Sequence, residues 1–322
     1  MPQPNPSQVH IDQALSNVSV AYIQSANGFI ADKVFPTVPV ASQSDKYFVY
    51  TKNDWFRDEA QKRAPATESA GSGFNVGNAN YFCDVFAIHK DVDDQTIANA
   101  VASPGIDPEA DAARFVAQRM MLKREIEWTN TFFTTGVWTG SSTGTDIAGA
   151  AWDNYSTSTP IQDVRAEKLA VLGKTGIKPN TLVLGAHVYA ALLDHPDFID
   201  RIKYTTDQAT TADLLKRLFE VDNLFVSEAV KATNVEGETA AYSFVASKSA
   251  LLVYSAPAPS LMTPSGGYTF KWNGVSDGAG LEIGTVRIEM PLKRAVRVES
   301  QMAWDSKVVA PDVGVFFTAA VS

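Results

Sequence analysis

The sequence predicts a mixed α+β fold, and three observations carry that prediction. A long amphipathic helix opens at Asp107; helix and strand signals alternate through about 160–265; and from Tyr268 onward the apolar residues recur with period two. The 322-residue chain has room for a substantial core, and its length suggests about two domains.

Composition narrows the function classes. Hydrophobic residues at 45% and charged residues at 20% suit a chain that folds rather than one that stays disordered. A net charge of −9 argues against an autonomous nucleic-acid binder, which needs a basic surface to replace phosphate counterions. Cys83 is the single cysteine, so no intrachain disulfide is expected. The first residues, MPQPNPSQVH, carry neither a basic n-region nor an apolar h-region and do not read as a signal peptide. No apolar run reaches the roughly 18 residues that a membrane helix requires. The expectation is a soluble chain, intracellular when made.

Taken in order, the first 45 residues read as an extended arm: rich in Pro, Gln, Asn and Ser, with apolar residues between Ile11 and Ile30 but no sustained period. Lys46–Tyr50 and Tyr81–His89 read as strands, separated by some thirty mostly polar residues. At Asp107 a capping residue is followed by Pro108, with Glu109 and Asp111 in the first turn, which predicts a helix start. Phe115, Leu122, Ile126 and Phe133 mark its expected buried face, with Met120, Met121 and Trp128 widening it. A helix running to Phe133 would be about 40 Å long. Residues 139–159 are a Gly/Ser/Thr-rich loop.

Next, Thr159-Pro160-Ile161-Gln162 has the form of a capping box, with Ile161, Val164, Leu169 and Leu172 as the expected buried face and Gly173 as the end. Strands are expected at Thr181–Leu184, Leu224–Ser227 and Ser243–Tyr254, and helices at Val188–Leu193 and Ala212–Phe219. Beyond Tyr268, Asn273-Gly274 and Asp277-Gly278 mark a hairpin loop. Gly284–Glu289, Ala295–Trp304 and Gly314–Val321 then read as strands of one antiparallel sheet.

Motifs that carry chemistry are almost absent. Gly140-Ser141-Ser142-Thr143-Gly144 satisfies the pattern of a serine-hydrolase elbow, but it follows a helix and lies in a low-complexity loop instead of a strand-to-helix turn. A hydrolase using Ser142 with His187 or His195 is the rival function. Gly173-Lys174-Thr175 resembles the end of a phosphate loop, yet Lys168 stands where glycine is needed and the helix precedes the strand. Asp91, Asp93 and Asp94 lack the Gly and Glu of a calcium loop, with Thr96 and Ala102 in those places, and read as a solvated turn. His10, His89, His187 and His195 show no metal-ligand spacing. No catalytic residue, cofactor or metal is expected.

The polar excursion after Tyr50 is the informative stretch. Lys52, Arg57, Lys62 and Arg63 alternate with Asp54, Asp58, Glu59 and Glu68, a mixture that suits register against a protein surface better than phosphate or lipid. Trp55 and Phe56 among them have the character of interface residues. Trp55, Phe56, Arg57, Asp58, Lys62 and Arg63 are therefore the candidate intersubunit contacts.

Five segments together resemble the major capsid proteins of tailed bacteriophages with the Hong Kong-type capsid fold. They are FIADKVFPTVPV (29–40), KYFVYTKNDWFRDEAQKRAPATESAGSGF (46–74), YFCDVFAIHKDV (81–92), HPDFIDRIKYT (195–205) and KVVAPDVGVFF (307–317). The resemblance covers nearly the whole chain. It implies an N-terminal arm at 1–45, an extended loop hairpin at 46–95, and a peripheral domain at 96–159 and 266–322 built on the spine helix and an antiparallel sheet. It also implies an axial α/β domain at 160–265.

The function so implied is structural: self-assembly, as hexamers and pentamers, into an icosahedral virion shell enclosing packaged double-stranded DNA without sequence-specific binding. Assembly would proceed in the host cytoplasm without a membrane. Some relatives begin with a cleaved scaffolding domain where this chain has a short arm, so the resemblance implies a separate scaffolding protein or earlier processing, with a portal protein and decoration proteins as further partners.

Overall fold

The computed structural model describes residues 24–50, 52–101, 107–202, 212–260, 262–275 and 284–322. Two sheets organise them, joined by one long helix. In the first sheet the central strand β12 (Ala295–Val308) pairs antiparallel with β11 (Gly284–Met290) along one edge. It also pairs antiparallel with β4 (Asp84–Asp93) along 295–304 and with β10 (Gly267–Trp272) along 304–308. Strand β1 (Thr37–Val40) adds parallel to β10.

The expected hairpin between β10 and β11 does not form: the fourteen residues of β12 are long enough to pair with both, β10 along 304–308 and β11 along 295–301, so neither strand pairs with the other. Asp277-Gly278 lies outside the described residues, as do residues 1–23 of the expected arm. The arm residues that are described belong to the body: Phe29, Ile30, Ala31, Val34 and Phe35 are buried, and Thr37–Val40 is sheet.

The second sheet runs β13 (Gly314–Phe317), β9 (Ala250–Val253), β5 (Thr181–Gly185), β6 (Asn223–Ser227). Period-two alternation divides its side chains cleanly. Leu182, Leu184, Ala250, Leu252, Val315 and Phe317 enter one core with Ile161, Val188, Phe198 and Leu215 from the covering helices. Val183, Leu251, Val253 and Phe316 face the other way, onto Trp128, Phe132 and Trp138. Gly314–Phe317 thus leaves the C-terminal sheet to which its alternation assigned it, and it ends before Val321. Both faces of it are buried, which alternation alone does not reveal. Trp138 fits there because a Cβ on Gly314 would lie 2.2 Å from its ring.

The helix joining the sheets is α3 (Pro108–Phe132), about 37 Å long at the usual rise. Asp107 caps it as expected, its carboxylate accepting the N–H groups of Glu109 and Ala110 at 3.1 Å. Its first half lies on β4 and β12 through Ala112, Val116 and Met120, and its last turns reach the second sheet through Trp128 and Phe132. The buried face is therefore rotated from the expected one. Phe115 is 42% exposed, capped by Lys90 and Arg119 at 5.4 and 5.1 Å, and Leu122 and Ile126 are only half-buried.

Helices α4 (Pro160–Thr175), α5 (Ala186–Leu193), α6 (Pro196–Ile202) and α7 (Ala212–Phe219) contribute to the core on the outer face of the second sheet. The capping box at Thr159 does not form; the Thr159 hydroxyl points to the Asp163 carboxylate at 3.3 Å. The helix passes Gly173 and stops at Gly176, which takes the left-handed conformation with φ of 70°. Leu169 and Leu172 face outward, while Glu167 and Lys168 are buried with Val171 and Thr175.

Two further readings change. The stretch Tyr81–His89 breaks at Cys83 into β3 (Val76–Phe82) and β4, and Ser243–Tyr254 splits into β8 (Tyr242–Phe244), which pairs with β7 (Val230–Ala232), and β9. Asp93 is a helix cap, not a solvated turn: it accepts the Thr96 N–H at 2.8 Å and opens α2 (Asp94–Val101).

Candidate intersubunit surface

The excursion begins from a two-stranded ribbon. Strand β2 (Ser44–Tyr50) pairs with β3 in register from Ser44↔Phe82 to Tyr50↔Val76. One face of the ribbon sits on the first sheet, where Tyr47 and Tyr81 stack on Phe270 with centroids 5.4 and 4.5 Å away. The opposite face points outward with Phe48, Val76 and Phe82 on it, Phe48 being 68% exposed. Sequence reading missed these three. The run Tyr47-Phe48-Val49-Tyr50 is apolar on both faces, so it reads as a buried strand and hides which side is free.

The neck of the loop is closed and the rest is open. A single turn, α1 (Lys52–Trp55), follows the ribbon, and Asp54 accepts the Asn75 N–H at 2.9 Å across the neck. Trp55 packs with Phe74 at 5.6 Å and edge-on to Tyr50 at 6.3 Å. Lys52 reaches Asp312 at 2.5 Å, and the Thr139 hydroxyl donates to the same carboxylate, which together hold the Asp312 carboxyl below its ordinary range despite partial burial.

From Phe56 to Gly73 there is no helix or strand, and nearly every residue is exposed. The contacts there are local: Arg57 to Glu59 at 3.8 Å, and the Arg63 guanidinium to the Thr67 carbonyl at 2.5 Å. Of the six candidates, only Trp55 is held in the neck cluster. Phe56 lies beside Gly176 of α4, and Asp58 and Lys62 have no ion-pair partner among the described residues.

The groups that might have done chemistry are occupied otherwise. The Ser142 hydroxyl donates to Glu167 at 2.7 Å, and its N–H meets the same carboxylate at 2.8 Å, so the serine has a carboxylate partner and no imidazole. His187 lies edge-on to Phe244. His195 is 2.9 Å from the Ser158 hydroxyl through Nε2, and its Nδ1 accepts the Asp197 N–H at 3.1 Å. An accepting Nδ1 places the ring proton on Nε2, which then donates to Ser158, while the serine donates to the Asn154 carbonyl at 2.7 Å. That polarity is the reverse of a general base. Burial lowers the His195 pKa, with Asp197 opposing, and burial raises the Cys83 thiol to about 11. Among the described residues no cluster of His, Cys, Asp and Glu suits a metal, and no helix is long and apolar enough to cross a membrane.

Comparison with known proteins finds relatives among phage capsid proteins. Residues 142–264 match the family model described as Phage major capsid protein E. The major capsid protein of Burkholderia phage BcepMu is 24% identical over 69% of this chain and 70% of its own. A phage-related protein of Bordetella bronchiseptica RB50, solved by crystallography, superposes with a TM-score of 0.69 at 23% identity, covering 93% of this chain and 95% of that one. The capsid structure of cyanophage P-SCSP1u gives 0.61 at 13% identity over 95% and 91%.

The chain is similar to phage major capsid proteins, and its fold is the Hong Kong-type capsid fold.

Proposed function

We propose that the chain is a structural protein that builds a virion shell by self-association and not by turnover, and that within this shell residues 53–75 are an intersubunit strap, laid over an adjacent copy of the chain. The observation that carries it is the contrast between a stapled neck, with Asp54 bonded to Asn75 and Trp55 packed on Phe74, and the open stretch beyond it. A neck held in one direction presents the loop as a unit; an open stretch without a core of its own gains order only from another surface. Trp55, Phe56, Arg57, Asp58, Lys62 and Arg63 are its contact residues in this reading.

The remaining parts take complementary roles. Residues 160–265 act as the axial domain, clustering as hexamers and pentamers around the six-fold and five-fold axes, and 96–159 with 266–322 act as the peripheral domain. The 46–95 hairpin carries the strap, and 1–45 is the arm. A scaffolding protein, a portal protein and decoration proteins are the further partners in this reading, with double-stranded DNA enclosed and not specifically bound. The chain's net charge of −9 supports the last point, since copies packed round DNA repel it instead of gripping it. Deleting residues 56–70 tests the strap: the variant should melt cooperatively as a subunit and form no stable closed particles. Closed particles at the parent's yield would overturn it.

A further inference from the structure

Helix α4 buries two charged side chains beside Ile161, Val164 and Val171, and exposes two leucines. Its buried side carries Glu167 and Lys168, 7% and 4% exposed, while Leu169 and Leu172 on the outside are 69% and 40% exposed. The two charged side chains set the rotation of the helix. Glu167 takes both the N–H and the hydroxyl of Ser142, and the Lys168 ammonium donates to the carbonyls of Phe219 at 2.8 Å and Glu220 at 2.6 Å. Rolling the leucines inward would strip those hydrogen bonds from two charged groups, so the leucines stay outside.

Helical spacing lines Ala166, Leu169, Leu172, Gly173 and Gly176 along that outer side. At its end a Cβ on Gly176 would lie 3.9 Å from the ring of Phe56. The result is a strip without charge from Ala166 to the Phe56 ring, bounded at the other end by Arg165, whose guanidinium pairs with Glu220 at 3.1 Å.

We propose that this strip is a contact surface for a second copy of the chain. The shell is built from copies of one chain, so a neighbouring copy is the surface at hand. The strip is continuous with Phe56, the residue through which the loop leaves its neck. Small residues at 166, 173 and 176 let a neighbouring backbone approach closely, and the absence of charge lets two chains of net charge −9 meet there without like-charge repulsion. In a ring of subunits the contact is heterologous: Leu169 meets a different patch on the next copy. The inference rests on shell formation, and the strap reading enters it only through Phe56.

Leu169→Asp and Leu169→Met, each produced as the full chain, test it. The Asp variant should keep the parent's melting temperature as a subunit yet lose particle yield roughly tenfold or more, while the Met variant assembles normally. Parental yield from Leu169→Asp overturns the proposal. Should the Asp variant fail to fold, Leu169→Cys in a Cys83→Ser background gives an independent reading. Its thiol should react with a maleimide about tenfold more slowly in shells than in free subunits, and equal rates overturn the proposal. A benzophenone carried on that thiol should produce, in shells, a cross-linked species of twice the subunit mass. A cross-link to another virion protein, or back to residues 56–75 of the same chain, overturns it. Tryptic cleavage at Arg63, followed on the same shells, reports on the strap separately: exposed Arg63 with a protected residue 169 tells against the strap alone.

Discussion

The Glu125 carboxylate, in the interior of the spine helix, accepts the backbone N–H of Ile30 at 2.9 Å. The same oxygen accepts the Ala31 N–H at 2.9 Å, and the other takes the Ser227 hydroxyl at 3.0 Å. The neighbouring Arg124 pairs with Asp32. One buried carboxylate therefore joins the segment before β1, the spine helix and the end of β6.

Glutamine at 125 keeps the geometry, since its carbonyl can take the two N–H groups and its amide can donate to Ser227. Glu125→Gln should change stability by no more than about 1 kcal/mol, whereas Glu125→Ala orphans three buried donors and should cost about 2–4 kcal/mol. Burial raises the Glu125 pKa above its ordinary 4.5, with the three donors opposing. A carboxyl whose folded pKa is raised contributes stability present below 4.5 and lost as the pH rises through the folded value. Urea melts of the subunit across the weakly acidic range should show that decline in the parent and not in Glu125→Gln. An identical pH slope in both would remove Glu125 as its source.

The rotated face of the spine helix makes a second prediction. Met120 is buried against Met302 and Trp304, so Met120→Ala should cost roughly 2–5 kcal/mol. Phe115, held only by two cations at the surface, should cost about 1 kcal/mol or less when replaced by alanine. Leu122, half-buried, belongs between them. Thermal melting of the three subunits gives the order directly; a Phe115→Ala loss equal to that of Met120→Ala would restore the face expected from spacing.

Ser142 and His195 give a third. Ser142→Ala removes one hydrogen bond to Glu167, so it should lower subunit stability by about 0.5–1.5 kcal/mol and leave particle yield unchanged. A serine-directed phosphonate should not label the parent. The His195 pKa is lowered from 6.5 by burial, so its contribution is present above 6.5 and lost as the pH falls through the folded value, opposite in sign to Glu125. His195→Asn should flatten the acid side of the melting profile, and a slope unchanged from the parent would show that the neutral ring is not what acid disrupts.

What the sequence made legible was local. Asp107 and Pro108 mark a helix start by side-chain chemistry confined to one turn, and Ala212–Phe219 marks itself by strong apolar periodicity. The misplaced helix faces share one cause: periodicity assigns an apolar residue to the inside. Leu169 and Leu172 point outward because Glu167 and Lys168 find partners 25 and about 51 residues away in sequence, at Ser142 and Phe219, which no local period encodes. Gly314–Phe317 changes sheets for a similar reason, since Val253 and Leu251 are its partners from another part of the chain. At the loop the sequence showed length and mixed charge but not the outward Phe48 and Phe82, because both faces of that ribbon are apolar.

The last prediction concerns the loop itself. Residues 57–73 make only local contacts among the described residues, and Lys62-Arg63 offers trypsin adjacent sites followed by Ala64 and not by proline. Exposed segments with few buried contacts are cut first, because a protease needs several extended residues that the body of a domain does not release. Unassembled subunits should be nicked rapidly near Arg63, and the neck, closed by Asp54 and the Tyr50–Trp55–Phe74 cluster, should confine the first cut to the loop. Shell formation would lay the loop on a neighbour and cover that backbone, so mature shells should resist the same cut. Time courses of cleavage on free and assembled protein, read by mass, make the comparison. Equal rates in the two states would sink the strap, because no neighbour would then be covering it.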